Sequence, residues 1–331
     1  MNPVPMVTEN SAPQPDDYTC PPVLLILFNR PILAELVFER IRLAKPSCLY
    51  IAVDGPRDAE AHPDDAALVK KCREISQKVD WPCEVKTRFS DENQGCGPGP
   101  SNAISWLFST EETGIILEDD CVPEPSFFRY CAEMLSRYAS DPQIMHINGN
   151  NFAPDRPEGI FGPYSYGFGR YAQAWGWATW SRAWKNFRYE VEGILKESPD
   201  VFAAKGVDRF RRVAHHDRVL TTLSRHSRDV WDYQWQYAVM KRGGLCVAPA
   251  VNQISNHGFG EDATHTKEVF EGVTRARTSE MTFPLVHPPR PLESPRVNQL
   301  YAGRMLGDAA RYRKKALKRW IRGLFGIKKA K

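Results

Sequence analysis

The sequence predicts an α/β protein: an open, mostly parallel sheet flanked by helices. Three observations carry that expectation. Wholly apolar runs of strand length recur through the first 150 residues, and segments with helical apolar spacing separate them. The apolar runs end in polar or charged residues, at Asn29-Arg30, Asp54-Gly55 and Glu118-Asp119-Asp120. In open sheets of this kind ligands sit beyond the carboxyl ends of the strands, so the topology would collect these residues on one rim.

Taken in order, VLLILF (23–28) is short, apolar throughout and stopped by Asn29-Arg30-Pro31, which suits a strand buried on both faces. Residues 32–44 place apolar side chains at helical spacing. CLYIAVDGP (48–56) is a second strand ending in a turn signal, and Pro63 opens a helix through DDAALVKKCREISQKV. CEVKTRF (83–89) is a third strand, DENQGCGPGPS a glycine-rich loop, and NAISWLFS a helix after it. GIILED (114–119) is a fourth strand, followed by a helix over about 125–138 and a fifth strand, QIMHING (143–149). After residue 150 the chain is dense in Gly, Pro and aromatics. Residues 182–225 and 232–242 read as helical and GLCVAPAVN (244–252) as one more strand. The expected organisation is a disordered lead-in (1–20), one catalytic-size domain (21–282), a Pro-rich connector (283–308) and a basic amphipathic tail (309–331).

With 331 residues, 42% hydrophobic and 25% charged, the composition is that of a soluble globular chain with a sizeable core. The net charge of +4 is unevenly placed: residues 311–331 hold ten Lys or Arg and no acid, leaving 34 basic against 40 acidic side chains elsewhere. Eight cysteines without a CxxC or close Cys/His pairing argue against a zinc site. The N-terminus lacks a charged segment followed by an apolar run, so no secretory signal is expected, and free thiols in a reducing cytosol fit. No run of about 18 apolar residues is present, so no membrane-spanning helix is expected. In the tail Leu317, Trp320, Ile321, Leu324 and Phe325 recur at helical spacing between basic residues. That pattern predicts a helix lying on an anionic membrane surface, with a disordered basic tail or one that binds nucleic acid as the alternatives; on the first reading the protein is cytoplasmic and peripheral to the inner face. Nothing in the body points to nucleic-acid readout.

Several groups carry chemistry, each beside a plainer role. The triplet Glu118-Asp119-Asp120 suits a hard divalent cation or sugar hydroxyls, or is a solvated acidic turn. Arg30 suits a phosphate or base edge, and Asp54 can accept from a base N–H or a ribose hydroxyl; a surface ion pair and a turn aspartate are the alternatives. In NQGCGPGP (93–100), Asn93 and Gly95 line a pocket or belong to an ordinary loop; the stretch matches neither a Walker loop nor a dinucleotide fingerprint. In YAQAWGWATW (171–180) the tryptophans hold a sugar acceptor or build core. Asp232, in an aromatic setting at a helix start, is a general base or an N-cap. His257, Asp262 and His265 sit in a Gly-bearing loop, where a histidine supplies a metal ligand or is a plain surface residue.

Together NRP after the first strand, VDGP ending the second and ILEDDCVPEPSFF resemble a GT-A fold nucleotide-sugar glycosyltransferase, of the N-acetylglucosaminyltransferase I type. WGWATW, WDYQW and GFGEDATHT further resemble a bacterial group of family-2-like sugar transferases. The resemblance, over residues 22–270, implies that Arg30 and Asp54 hold the nucleoside, with Asn93 beside them. It implies that Asp120 ligates Mn²⁺ or Mg²⁺ on the donor diphosphate, with His265 completing that site. Glu118 and Asp119 would contact donor sugar and ribose, and Trp175 and Trp177 the acceptor. Asp232 would deprotonate the acceptor hydroxyl, giving inversion. His257 stands where the bacterial group has an aliphatic residue. The implied partners are a nucleotide-sugar donor and a saccharide or lipid-linked acceptor.

Two rivals remain. A nucleotidyltransferase that makes nucleotide sugars resembles a pattern with a Gly-rich basic loop after strand one, where this chain has NRPILAEL. A non-catalytic sugar-binding protein would keep the tryptophans but need neither the triplet nor Asp232.

Overall fold

The computed structural model describes residues 18–151, 158–190, 192–204, 230–258 and 277–305. The first strand, β1 (Val23–Leu27), is buried nearly throughout because it pairs in parallel with β2 (Cys48–Val53) on one side and β4 (Thr113–Glu118) on the other. The pleat sends alternate side chains to opposite faces. Val23, Leu25 and Leu27 join Ala34, Val37, Phe38 and Ile41 of α1 (Pro31–Ala44), whereas Leu24 packs with the helix layer on the other face. This two-sided burial is why the run is apolar without alternation.

Outward from β2, β3 (Glu84–Phe89) continues the parallel sheet after α2 (Asp65–Glu74) and a short 3₁₀ turn, Ile75–Lys78. The helix α3 (Pro98–Leu107) begins four residues earlier than the sequence predicts. Pro98 and Pro100 occupy its first turn, where a missing N–H costs no intrahelical bond. After β4 the acidic turn leads into β5 (Cys121–Pro123), then α4 (Ser126–Arg137) and β6 (Ile144–Asn148).

Beyond residue 150 the aromatic-rich stretch holds strands that its composition concealed. A short helix α5 (Glu158–Phe161) precedes β7 (Tyr166–Gly169), and WATW itself forms β8 (Trp177–Trp180). The helical segment expected over 182–225 divides within the described residues. A turn α6 (Ser181–Trp184) ends where Phe187 folds back and stacks on Trp184 at 4.3 Å. A separate helix α7 (Glu192–Ala204) follows, and 205–229 lie outside the described residues. Then come α8 (Asp232–Arg242), β9 (Leu245–Pro249), β10 (Ile254–Asn256) and α9 (Pro295–Met305).

The main sheet has the order β3-β2-β1-β4-β8-β6-β9-β7, and β5 pairs with β10 separately. Four of its seven pairings are parallel; β8 runs antiparallel between β4 and β6, and β7 antiparallel beside β9. Because β8 reverses twice, β6 and β9 run in the same sense as β1, β2 and β4. Their carboxyl ends therefore emerge on one rim. Residues 277–294 form no helix, but Met281 and Leu285 are buried in the core, and Val297 and Tyr301 of α9 pack against the β7 side. The proline-rich stretch is thus packed onto the sheet through its apolar side chains. Among the described residues no helix is long and apolar enough to cross a membrane.

Candidate active site

Asn29-Arg30 and Glu118-Asp119-Asp120 meet where β1 and β4 end side by side. Arg30, the residue before α1, donates from Nε to Asp119 Oδ2 at 3.2 Å and from Nη2 to Asp119 Oδ1. Its third nitrogen, Nη1, lies 3.1 Å from Asp120 Oδ2. Burial opposes the guanidinium charge, but Asp119 and Asp120 outweigh it and raise the Arg30 pKa. The repulsion within the triplet is thus partly offset inside the chain itself. Asp119 is almost fully enclosed, with both oxygens on Arg30. The predicted contact of Asp119 with a ribose hydroxyl is not open to it in this arrangement, so Asp119 acts by aiming Arg30.

Glu118 is different. It is partly buried and has no hydrogen bond or ion pair among the described residues. Burial raises its pKa, and the charges of Asp120, Asp119 and Asp232 push the same way against Arg30. Asp232 therefore lies within electrostatic reach of the triplet, although 112 positions after Asp120 in the chain. It is the first residue of α8, and Trp231 and Trp235 beside it pack beneath it into the core.

Asp120 is held from a second side. β5 and β10 pair Cys121 with Asn256, so the turn after β4 and the segment 256–258 lie together. Asp120 Oδ1 accepts from Cys121 Sγ at 3.2 Å and faces Asn256 Nδ2 at 3.4 Å, and the backbone N–H of His257 donates to Asp120 O at 2.8 Å. Gly258 N–H donates to Asn256 Oδ1 at 2.8 Å. A Cβ on Gly258 would collide with Asp120 Oδ2 and crowd Arg30 Nη1, so glycine is what lets this strand-end segment close over the pair. The His257 ring meets Ser255 Oγ at 3.1 Å. Asp262 and His265 lie outside the described residues.

At the end of β2, Asp54 organises the loop after β3. Its Oδ1 accepts from Gly55 N and Gln94 N, both at 2.8 Å; its Oδ2 accepts from Gly95 N at 3.1 Å and Asn93 Nδ2 at 3.2 Å. Burial raises the Asp54 pKa against these N–H donors. Four donors use the capacity of one carboxylate. Asp54 therefore shapes the loop and has no acceptor site left over for a base. Asn93 also gives its amide to Gly55 O at 3.0 Å, which leaves its Oδ1 as the acceptor this loop can offer.

Of the two tryptophans assigned to the acceptor, Trp175 is half-buried at the rim, but Trp177 is fully enclosed. Trp177 stacks between His146 at 4.8 Å and Trp231 at 5.6 Å, and touches Trp184 and Trp235. An enclosed indole presents no face to a sugar, so Trp177 is core.

Arg57 and Asp65, which join Asn29 at the β1–β2 end of the rim, and Asn256 and Gly258, which hold Asp120, are not among the residues expected from the sequence. Nor are the amides of HINGNN: Asn148, Asn150 and Asn151 are buried at the end of β6. Polar residues directly after an apolar strand were the available signal, the same one that marked Arg30 and Asp54.

Among the described residues no three His, Cys, Asp or Glu side chains converge as a metal-binding group. Mg²⁺ and Mn²⁺ ordinarily take only one or two carboxylates, with substrate phosphates and water supplying the rest. The Glu118 carboxylate, without a side-chain partner among the described residues, and the acceptor site left on Asp120 fit that sparse demand.

No family model and no curated protein matches this sequence. Among solved structures, one similar to the chain is a UDP-glucose pyrophosphorylase complexed with UDP-glucose, at 13% identity and TM-score 0.27, covering 47% of this chain and 64% of that one. Another is the apo form of mouse xyloside xylosyltransferase 1, at 13% identity and TM-score 0.33, covering 66% of this chain and 81% of that one. The chain thus spans somewhat under two thirds of the pyrophosphorylase structure.

Proposed function

We propose that this chain is a metal-dependent, inverting glycosyltransferase that moves a sugar from a nucleotide-sugar donor to a hydroxyl of a saccharide or lipid-linked acceptor. The observation that carries it is the convergence at the β1–β4 junction of Arg30, Glu118, Asp119 and Asp120, with Asp232 brought within electrostatic reach from α8. In the strand order β3-β2-β1-β4 the chain runs outward from β1 through β2 to β3 and then returns to β4 on the other side of β1, which makes this junction a switch point of the kind where ligands bind in open α/β sheets.

Asp120 would hold the cation, with Glu118 near enough to share it or to accept from a donor-sugar hydroxyl. A bound divalent cation supplies positive charge against the diphosphate leaving group. Arg30, paired with Asp119 and Asp120, would reduce the acidic charge that the diphosphate meets there. The nucleoside would lie toward β2, against the loop that Asp54 shapes and Asn93 lines. Asp232 would take the proton of the attacking acceptor hydroxyl. Asp232 comes from α8 and Arg30 from the end of β1, so base and leaving-group charge would be supplied by different elements, and Trp175 would offer the half-buried aromatic surface for the acceptor.

Turnover of a panel of nucleotide sugars, with and without Mn²⁺ and again with Asp232→Asn, tests this. Transfer should need the metal and fall sharply in the variant; turnover indifferent to both would sink it. Formation of nucleotide sugar from sugar phosphate and nucleoside triphosphate would favour the nucleotidyltransferase instead.

The basic tail would hold the enzyme to an anionic membrane surface from the cytoplasmic side. Co-sedimentation with anionic vesicles should be lost on removing residues 310–331 and survive in its absence only if another surface binds lipid.

A further inference from the structure

Asp65 opens α2, yet its carboxylate is turned away from its own helix and is almost fully buried. It accepts Asn29 Nδ2 at 2.8 Å, and from Arg57 it takes Nε at 2.7 Å, Nη2 at 3.0 Å and the backbone N–H at 3.2 Å. These bonds, Arg57 first, hold the Asp65 carboxyl down at about 2, so the pair stays charged across the working pH range. The Arg57 guanidinium also lies over the Phe28 ring, 5.3 Å from its centroid. Arg57 is only partly buried, and its remaining terminal nitrogen, Nη1, has no hydrogen-bond or ion-pair partner among the described residues. Cys96 of the loop after β3 is within its electrostatic range.

The clamp is more elaborate than tying β2 to α2 requires. It fixes three polar groups of one arginine over the Phe28 ring and leaves Nη1 without a partner among the described residues. An arginine immobilised in this way loses little further freedom on meeting a ligand. Its position selects the ligand. Positive charge for a diphosphate already stands at the β1–β4 junction, in Arg30. Arg57 follows β2 and packs over Phe28, with Asn29 reached through Asp65, so it stands at the β1–β2 end of the rim, whereas Arg30 turns to the β4 carboxylates. A donor laid across the rim, with its diphosphate at Arg30 and its sugar toward Asp232, carries its base to that end. Asp54, the other polar residue there, has its carboxylate committed to the loop.

We propose that Arg57, clamped by Asp65 and Asn29, reads the nucleobase of the donor through its open guanidinium edge. The ligand group it fits is a base edge with carbonyl or ring-nitrogen acceptors. This rests on the nucleotide-sugar reading above.

The test is calorimetric titration of the full chain, with Mn²⁺, by UDP, CDP, GDP, ADP and inorganic pyrophosphate. Arg57→Ala strands Asp65 and risks the fold, so Arg57→Lys, which keeps a charge for Asp65, is run beside it with unfolding curves for both. In Arg57→Lys the preferred nucleoside diphosphate should bind at least about ten-fold more weakly, with the preference among bases flattened and pyrophosphate unchanged within about two-fold. Equal weakening of pyrophosphate would make Arg57 a diphosphate contact, and unchanged nucleotide binding in a folded Arg57→Lys would make it a structural tie; either overturns the proposal. Wild-type protein that binds no nucleoside diphosphate at all would overturn the donor reading itself, and this inference with it.

Discussion

Arg30 and Asp119, 89 positions apart in the chain, form a two-point ion pair at the adjoining ends of β1 and β4. Asp119 is 2% exposed. Removing one partner of such a pair leaves an uncompensated buried charge, at a cost of about 3–5 kcal/mol. Arg30→Met should therefore destabilise the fold by that order in urea or thermal unfolding. The double variant Arg30→Met/Asp119→Leu should recover much of the loss. An additive double variant would mean the two residues do not depend on each other for stability.

Asp232→Asn keeps the shape of the helix start and removes the base. Transfer should fall by about 10²–10⁴ in kcat, with donor KM nearly unchanged. Asp120→Asn should instead raise the Mn²⁺ concentration needed for half-maximal rate. If both variants shift metal dependence alike, Asp232 belongs to the cation site and the base lies elsewhere.

Gly258→Ala places a methyl group against Asp120 Oδ2 and Arg30 Nη1. Relieving that overlap must move either the 256–258 segment or the carboxylate, at a cost of about 1–3 kcal/mol. The expected result is weaker Mn²⁺-dependent donor binding with a smaller loss of global stability. Normal donor binding would show that Asp120 tolerates displacement.

The two tryptophans separate by measurement. Trp177→Ala empties the centre of a five-ring cluster with His146, Trp184, Trp231 and Trp235, and should lose about 3–5 kcal/mol of stability. Trp175→Ala should change unfolding far less while raising acceptor KM. Comparable losses of stability in the two variants would remove Trp175 from the acceptor site.

His146 has no exposed surface, and burial lowers its pKa from 6.5 to about 3. Its Nδ1 accepts the indole N–H of Trp235 at 3.0 Å, a bond that protonation would break. Between these two values the unfolded chain binds a proton that the native state refuses. The contribution is therefore intact above pH 6.5 and is lost as pH falls toward 3, at about 1.4 kcal/mol per pH unit. His146→Gln retains an acceptor for Trp235 and should show a shallower loss of stability than wild type over that range. Parallel curves for the two proteins would contradict the assignment.

The chain's own pattern determined the parallel half of the sheet. A strand covered by helices on both faces must be apolar where it is covered, and β1, β2 and the Gly114–Leu117 centre of β4 are, so their positions and polar ends are legible residue by residue. Arg30, Asp54 and the triplet stood out because a charged residue directly after such a strand has only the rim to occupy. Tertiary structure decided what those residues do there. Whether Asp119 meets a ligand or an arginine, and whether the acceptor sites of Asp54 are open or filled by backbone N–H groups, depends on segments dozens of positions away. Strand β8 was hidden because its tryptophans fit a sugar platform as well as a core, and only pairing with β4 and β6 separates the two. Asp232 joined the site through the packing of α8, since local sequence specifies a helix start but not the strand end that it faces.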